Sequence, residues 1–113
     1  MTETPSYSSR KLVLDEAALA VLSDRNADYG DPEDNFADIA ALWTEYVRMQ
    51  TPHHLRDMVE PFSRTDVAVM MVLTKIARAV TSPCKADHWV DIAGYAACGL
   101  ASALADAEGD TDE

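Results

Sequence analysis

The fold is decided by residues 65–95, TDVAVMMVLTKIARAVTSPCKADHWVDIAGY. Residues 67–73 are apolar at every position and the apolar pattern continues beyond them, so we expect a helix that is buried on most of its sides. A residue that precedes proline avoids helical geometry, so this helix is predicted to end at Ser82-Pro83. The next helix is predicted to begin near Ala86 or Asp87.

Four charged residues in this stretch are the first candidates for a functional site. Lys75 and Arg78 lie within the apolar helix, where a charge is costly unless it is paired or bound to a ligand. They are predicted either to bind phosphate oxygens or to neutralise acids such as Asp66 or Asp91. Asp87 and Asp91 are four residues apart and project from one helix face, where they could hold Mg²⁺. The alternative for Asp87 is an ordinary N-cap.

Outward from this stretch, the remaining chain is predicted to be helical as well. One helix is expected from near Asp15 to about Asn26, a second from Asp31-Pro32 to near Thr51, and a connector over residues 53–61. Thr65 or Ser63 caps the third helix, and the fourth ends near Asp106. Small residues over 92–105 predict close packing of the fourth helix against a neighbour in the same chain or in a symmetry mate. The predicted architecture is an all-α four-helix bundle.

Composition sets the domain organisation and excludes some partners. We expect a flexible N-terminus over residues 1–10, one helical domain over 11–106 and an acidic disordered tail over 107–113. The net charge of −11 argues against binding to a nucleic-acid polymer, which requires clustered basic residues. No stretch has the length of a membrane span or the pattern of a signal peptide, so we expect a cytoplasmic protein without a membrane partner.

A second group of polar residues surrounds the start of the second helix. Glu33-Asp34 falls in the first turn, where acidic residues are ordinary. Asn35 stands beside Phe36 and is predicted to point its amide at a ligand. Arg25 and Tyr29 precede this helix and are predicted to form part of a site wall, unless they only order the loop.

Three segments carry a resemblance to a known family. They are RNADYGDPEDNFADIAALW (25–43), DVAVMMVLTKIAR (66–78) and DHWVDIAGYAA (87–97). They resemble small phage-encoded proteins, formally a domain of unknown function, that are usually described as MazG-like nucleotide pyrophosphohydrolases, and the likeness covers about three-quarters of the chain. It implies an oligomeric helical bundle, a homodimer or homotetramer, in which Mg²⁺ is held by acids from an EExxE and an ExxD helix. The implied reaction converts a nucleoside triphosphate to a monophosphate and pyrophosphate.

The resemblance assigns roles to individual residues. His88-Trp89-Val90-Asp91 matches the ExxD position, with Asp91 retained and Asp87 in place of the Glu. The EExxE motif is absent, and its nearest equivalents are Asp66 or the Glu33, Asp34 and Asp38 group. The implied site uses Asp91, Asp87 and Lys75 for catalysis, Asp66, Asp87 and Asp91 for the metal, and Lys75, Arg78, Asn35, Tyr29 and Arg25 for the nucleotide.

The missing acids leave two further expectations open. One is a protein that binds a nucleotide without hydrolysing it, for example a phage sponge for a nucleotide signal in host defence. The other is a purely structural oligomer, in which Lys75 and Arg78 pair with Asp66 and Asp91 across subunits.

Overall fold

A computed structural model of the chain describes residues 4–22 and 30–111, and all regular structure within those ranges is helical. The helices are α1 (Pro5–Leu22), α2 (Pro32–Gln50), α3 (Arg64–Thr81) and α4 (Ala86–Thr111), with a 3₁₀ helix (His53–Met58) between α2 and α3. The all-α prediction is therefore confirmed for the described residues. None of these helices combines the length and hydropathy that crossing a membrane requires.

Helix α4 organises the packing of the other helices. It packs most extensively against α3, then against α1, and it also contacts α2. A Cβ atom built on Gly99 of α4 would lie 3.6 Å from the Cβ of Ala68 of α3, so the small residues of α4 do allow a close approach within one chain. The buried core between α2, α3 and α4 consists of Phe36, Ala40, Val67, Ala68 and Cys98.

The start of α3 is fixed by a reciprocal pair of hydrogen bonds. The backbone N–H of Asp66 donates to the Ser63 hydroxyl at 3.1 Å, and the backbone N–H of Ser63 donates to the Asp66 carboxylate at 2.8 Å. This capping box satisfies two amides that the helix itself leaves without partners. Of the two predicted caps, Ser63 is the one used.

Two predicted helix ends differ from the structure. Helix α1 begins at Pro5 rather than near Asp15, because the Thr4 hydroxyl accepts a hydrogen bond from the Tyr7 N–H at 3.1 Å and proline suits the first helical position. Asp15 lies inside α1 and pairs with Lys11. Helix α4 continues to Thr111, beyond the expected end near Asp106, because its alanines are strong helix formers and no proline interrupts it. Residues 5–10 and 107–111 are thus helical.

The exposure of α3 corrects another expectation. Only Val67, Ala68 and Ala79 of this helix are buried, although it was predicted to be buried on most sides. The single chain is also extended, since its radius of gyration is 17.4 Å whereas a compact domain of this length has about 13 Å. One chain therefore leaves much of its apolar helix surface uncovered.

Candidate functional site

An ion pair between Lys75 of α3 and Asp91 of α4 is the central feature of the candidate site. The Lys75 ammonium donates to Oδ2 of Asp91 at 3.0 Å. The Lys75 side chain is 16% exposed and the Asp91 side chain is 42% exposed, so the cation is the more deeply buried partner. The other carboxylate oxygen of Asp91 has no hydrogen-bond partner among the described residues. Of the partners predicted for Lys75, the structure shows Asp91.

Asp91 faces a cavity of about 450 Å³ between α1, the start of α2 and α4. This volume is in the range of small-molecule sites. The cavity brings together the predicted residues Asn35 and Asp91, which are 56 positions apart in the chain. Asn35 is exposed, and its amide has no partner within the described ranges. An exposed amide and a half-exposed carboxylate therefore line one cavity.

Three further residues of the cavity wall come from the same face of α4. Gly94, Tyr95 and Cys98 follow Asp91 at three, four and seven positions, the spacing of one helix face. Tyr95 packs against the buried ring of Phe36, with 6.3 Å between the ring centroids. These residues were not predicted as site residues. The signal that finds them is their helical spacing from Asp91.

Cys98 is a buried thiol in the cavity wall. Burial raises the pKa of the Cys98 thiol above its ordinary value, and the negative charge of Glu33 raises it further, because both disfavour the thiolate. The thiol is therefore protonated near neutral pH and is a poor nucleophile.

The other predicted residues occupy different places. Asp66 is engaged in the capping box of α3, nine residues from Lys75 and about 13 Å along the helix. Asp87 is exposed in the first turn of α4, one turn before Asp91. Arg78 is exposed one turn after Lys75, without an ion-pair partner in the part of the chain that the structure describes. The three predicted metal ligands thus do not converge within one chain.

Two observations limit what the site contains. Residues 4–22 and 30–111 form no group of three His, Cys, Asp or Glu side chains that could hold a metal ion. Arg25 and Tyr29 lie outside the described residues, and the predictions for them stay predictions. Gly30, the first described residue of the second range, has a φ of +80° and lines the cavity. Glycine adopts this left-handed conformation without a steric cost.

Two larger cavities lie elsewhere, and the first of them is also lined by charged side chains, including Arg48 and Arg64. One, of about 540 Å³, lies between α2 and the start of α3, where Asp106 already accepts hydrogen bonds from the Thr65 N–H and hydroxyl. The other, of about 600 Å³, lies between α1 and the start of α4 and is lined mainly by apolar side chains such as Leu12 and Trp89. The 450 Å³ cavity is preferred because it brings together Asn35 and Asp91, the partner of Lys75, and both were predicted independently from the sequence.

The fold and the cavity define a class: an all-helical protein with a small-molecule-sized cavity beside an interhelical ion pair. Comparison with known families makes the assignment more specific. The family described as domain of unknown function DUF6378 matches residues 12–103, and the chain belongs to this family. The matched range includes all residues named above for the cavity.

The curated relatives are phage proteins. The chain is 37% identical over 86 residues to the Gene 55 protein of Mycobacterium phage D29, across 76% of this chain and 50% of the relative. It is 43% identical over 84 residues to the Gene 55 protein of Mycobacterium phage L5, across 74% of this chain and 47% of the relative. The chain thus spans about half the length of these relatives. No solved structure matches. These matches agree with the expected likeness to small phage proteins.

Proposed function

We propose that the protein binds a nucleotide in the 450 Å³ cavity and, as a MazG-like enzyme, hydrolyses a nucleoside triphosphate to a monophosphate and pyrophosphate. The observation that carries the proposal is the Asp91 carboxylate, which lies in the cavity wall and is paired with the Lys75 ammonium, whose side chain is 16% exposed. An ion pair at the wall of a ligand-sized cavity is a common arrangement in functional sites. The resemblance of the three sequence segments to MazG-like proteins supplies the reaction class.

The residues present fit Mg²⁺ to a limited extent. Mg²⁺ is bound in such sites by one or two carboxylates, with water and substrate phosphates completing an octahedron. Among the described residues only Lys75 contacts the Asp91 carboxylate, and Asp87 lies one turn away, so these two acids would hold the ion. When bound, Mg²⁺ would neutralise phosphate charge and activate the attacking water. Asp66 is left out of this proposal because the capping box engages its carboxylate.

The chain's own residues then have distinct roles. Lys75 fixes the position of the Asp91 carboxylate, and Arg78, exposed one turn further along α3, binds phosphate oxygens. The exposed amide of Asn35 lines the cavity and can both donate to and accept from a base or sugar. Tyr95 supplies an aromatic wall with a hydroxyl group that can hydrogen-bond.

The remaining parts of the proposal concern architecture and location. We propose that α1 to α4 correspond to a MazG-like four-helix bundle that works as an oligomer in the cytoplasm of the host cell. The uncovered apolar surface of α3 supports an oligomer. The relatives encoded by mycobacteriophages support a phage origin.

The test is a thermal-shift screen with Mg²⁺ and with EDTA. The panel contains nucleoside triphosphates, diphosphates and cyclic nucleotides, because a ligand of the native state must raise Tm. A pyrophosphate-release assay follows on each ligand that binds. Asp91→Asn keeps the side-chain shape and should abolish both the shift and the product. Asp15→Asn is the matched control, because Asp15 is exposed and belongs to an ion pair within α1.

A second candidate is nucleotide binding without hydrolysis, as in a phage sponge for a nucleotide signal. It is favoured by the lack of a three-acid group in residues 4–22 and 30–111. Under this function the shift survives EDTA and no pyrophosphate appears. A purely structural role, favoured by the Lys75–Asp91 pair itself, predicts no shift with any nucleotide, and that result would refute both binding proposals.

A further inference from the structure

Helix α3 carries a regular stripe of exposed aliphatic side chains. Val69, Leu73, Ile76 and Val80 are spaced by four, three and four residues, so they share one face of the helix. They are 51%, 57%, 43% and 76% exposed. We call these four residues the α3 stripe. Its spacing is that of the a and d positions with which one helix packs against another.

An apolar groove adjoins the α3 stripe. It encloses about 280 Å³ between α3 and α4, and its walls include Val69, Val72 and Leu73 on one side and Ala96 on the other. The described residues that line it include no charged side chain. The stripe and the groove therefore form one continuous apolar face that a second helix can cover.

The exposed surface of one chain can be compared with that of a typical globular monomer. The chain exposes 8394 Å², whereas a globular monomer of 12.4 kDa exposes about 6,100 Å². The excess is greater than the roughly 800 Å² per partner that a standard stable interface buries. The excess surface of one chain is thus large enough to include a standard interface.

We propose that the α3 stripe is the interface with a second copy of this chain, packed antiparallel about a two-fold axis. The order of the spacings, four, three and four, reads the same in both directions. An antiparallel second copy therefore places Val80 of the partner subunit opposite Val69 and Ile76 of the partner subunit opposite Leu73. The same contacts repeat on the other side of the axis, as a closed two-fold interface requires. The groove beside Val69 receives the far end of the second stripe.

The exposed apolar residues of α2 are a less suitable interface. Leu42, Tyr46 and Met49 share one face of that helix and are exposed. The carboxylates of Asp38 and Glu45 lie on the same exposed side, since Asp38 is four residues before Leu42 and Glu45 is four residues before Met49. Burying those charges would oppose association. Asp66 continues the spacing of the α3 stripe, but it lies at the N-terminal end beyond Val69 and its carboxylate is engaged in the capping box. Leu42, which is 70% exposed, is therefore a matched control for Leu73.

The first experiment measures molar mass by light scattering after size exclusion. The wild-type chain should have twice the 12.4 kDa chain mass, and Leu73→Lys should reduce it to the chain mass. Leu42→Lys should leave the dimer intact. Both changes make the net charge less negative by the same amount, so general repulsion cannot explain a difference between them. Unchanged circular dichroism at 222 nm would confirm that each variant remains helical, as expected at exposed positions.

The second experiment tests the antiparallel register. Leu73→Lys and Ile76→Glu should each give a monomer, and an equimolar mixture should recover the dimer mass. Recovery is expected because the new cation of one chain faces the new carboxylate of the other, while the second Leu73–Ile76 contact is unchanged.

Three results would overturn the proposal. They are a wild-type monomer at high micromolar concentration, a Leu73→Lys variant that remains dimeric while Leu42→Lys dissociates, and a mixture that does not associate. None of these readouts depends on nucleotide binding, so failure of this proposal is distinguishable from failure of the proposed function.

Discussion

Replacing either partner of the Lys75–Asp91 ion pair should have unequal effects on stability. Asp91→Asn leaves the Lys75 ammonium, which is only 16% exposed, without its counter-charge. Lys75→Met replaces the ammonium with an apolar group of similar length and leaves the carboxylate of Asp91, which is 42% exposed and can be solvated. The removal of the exposed partner should therefore be the more destabilising change.

The magnitude follows from the burial of the two partners. Breaking a fully buried pair costs about 3–5 kcal/mol, and an exposed pair contributes about 0–1 kcal/mol. With one partner buried and one half exposed, Asp91→Asn should cost about 2 kcal/mol, and Lys75→Met less than about 1 kcal/mol. For a domain of this length 2 kcal/mol corresponds to a fall in Tm of about 8 °C. The double variant should regain most of the loss, because no buried charge remains.

The assay is urea unfolding followed by circular dichroism at one fixed protein concentration, because self-association contributes to apparent stability. The matched control is Asp15→Asn, which removes the exposed Lys11–Asp15 ion pair. It should change the free energy of unfolding by less than about 0.5 kcal/mol. The reasoning is refuted if Lys75→Met costs as much as Asp91→Asn, or if the double variant is less stable than both single variants.

Three further predictions follow from single contacts. The buried hydroxyl of Thr44 accepts a hydrogen bond from the Phe62 N–H at 2.8 Å, so Thr44→Val should lower the free energy of unfolding by about 1–3 kcal/mol in urea titrations. Gly94→Ala should raise the free energy of unfolding by up to about 1 kcal/mol through helix propensity. It should also weaken nucleotide binding, measured by calorimetry, because Gly94 lines the cavity and the added methyl group enters its wall. The exposed Cys84 should react with a thiol reagent at neutral pH, whereas the buried Cys98, whose pKa burial raises, should react only after unfolding.

Each of these predictions has a control or a contradicting result. Thr74→Val removes a similar hydroxyl that bonds only to the Met70 carbonyl on an exposed face, and it should have little effect. Gly99→Ala should give the same gain in helix propensity without touching the cavity. Labelling of two thiols per native chain would contradict the burial of Cys98. The folded protein keeps the Cys98 proton to a higher pH than the unfolded chain does, because burial raises the pKa of the thiol. The free energy of unfolding should therefore fall as pH rises above the ordinary thiol pKa of 9.0.

The helical class was predictable because local signals act within one or two turns. Pro32 and Ser63 mark helix starts and Pro83 marks an end, and the structure places boundaries at these residues. The early start of α1 was missed because Thr4 and Pro5 stand in a segment whose polar composition suggested a frayed end. A hydroxyl cap followed directly by proline was the local signal that should have outweighed composition.

The candidate site was predictable only in part, because it depends on which helix faces meet. Asp91, Lys75 and Asn35 were identified from charge or amide groups next to apolar residues, and the structure brings the first two into contact. Asp66 was assigned to the metal as the nearest equivalent of the absent EExxE acids, whereas in the structure its carboxylate accepts a hydrogen bond from the Ser63 N–H in the first turn of α3. The outward face of α3 was wrongly predicted to be buried. The sequence shows which residues are apolar, whereas their burial depends on how many other helices pack against them.

The ring of Tyr95 has a position that links two surfaces. It lines the 450 Å³ cavity on one side and the apolar groove on the other. If the cavity binds a nucleotide and the groove receives a second copy of the chain, as proposed above, both would restrict the Tyr95 side chain, and we expect the two equilibria to be coupled. Thermodynamic reciprocity then requires that a nucleotide which binds the dimer more tightly than the monomer also lowers the dissociation constant of the dimer. Nucleotide affinity would accordingly rise with protein concentration, so the phage could set the response by the amount of protein it makes.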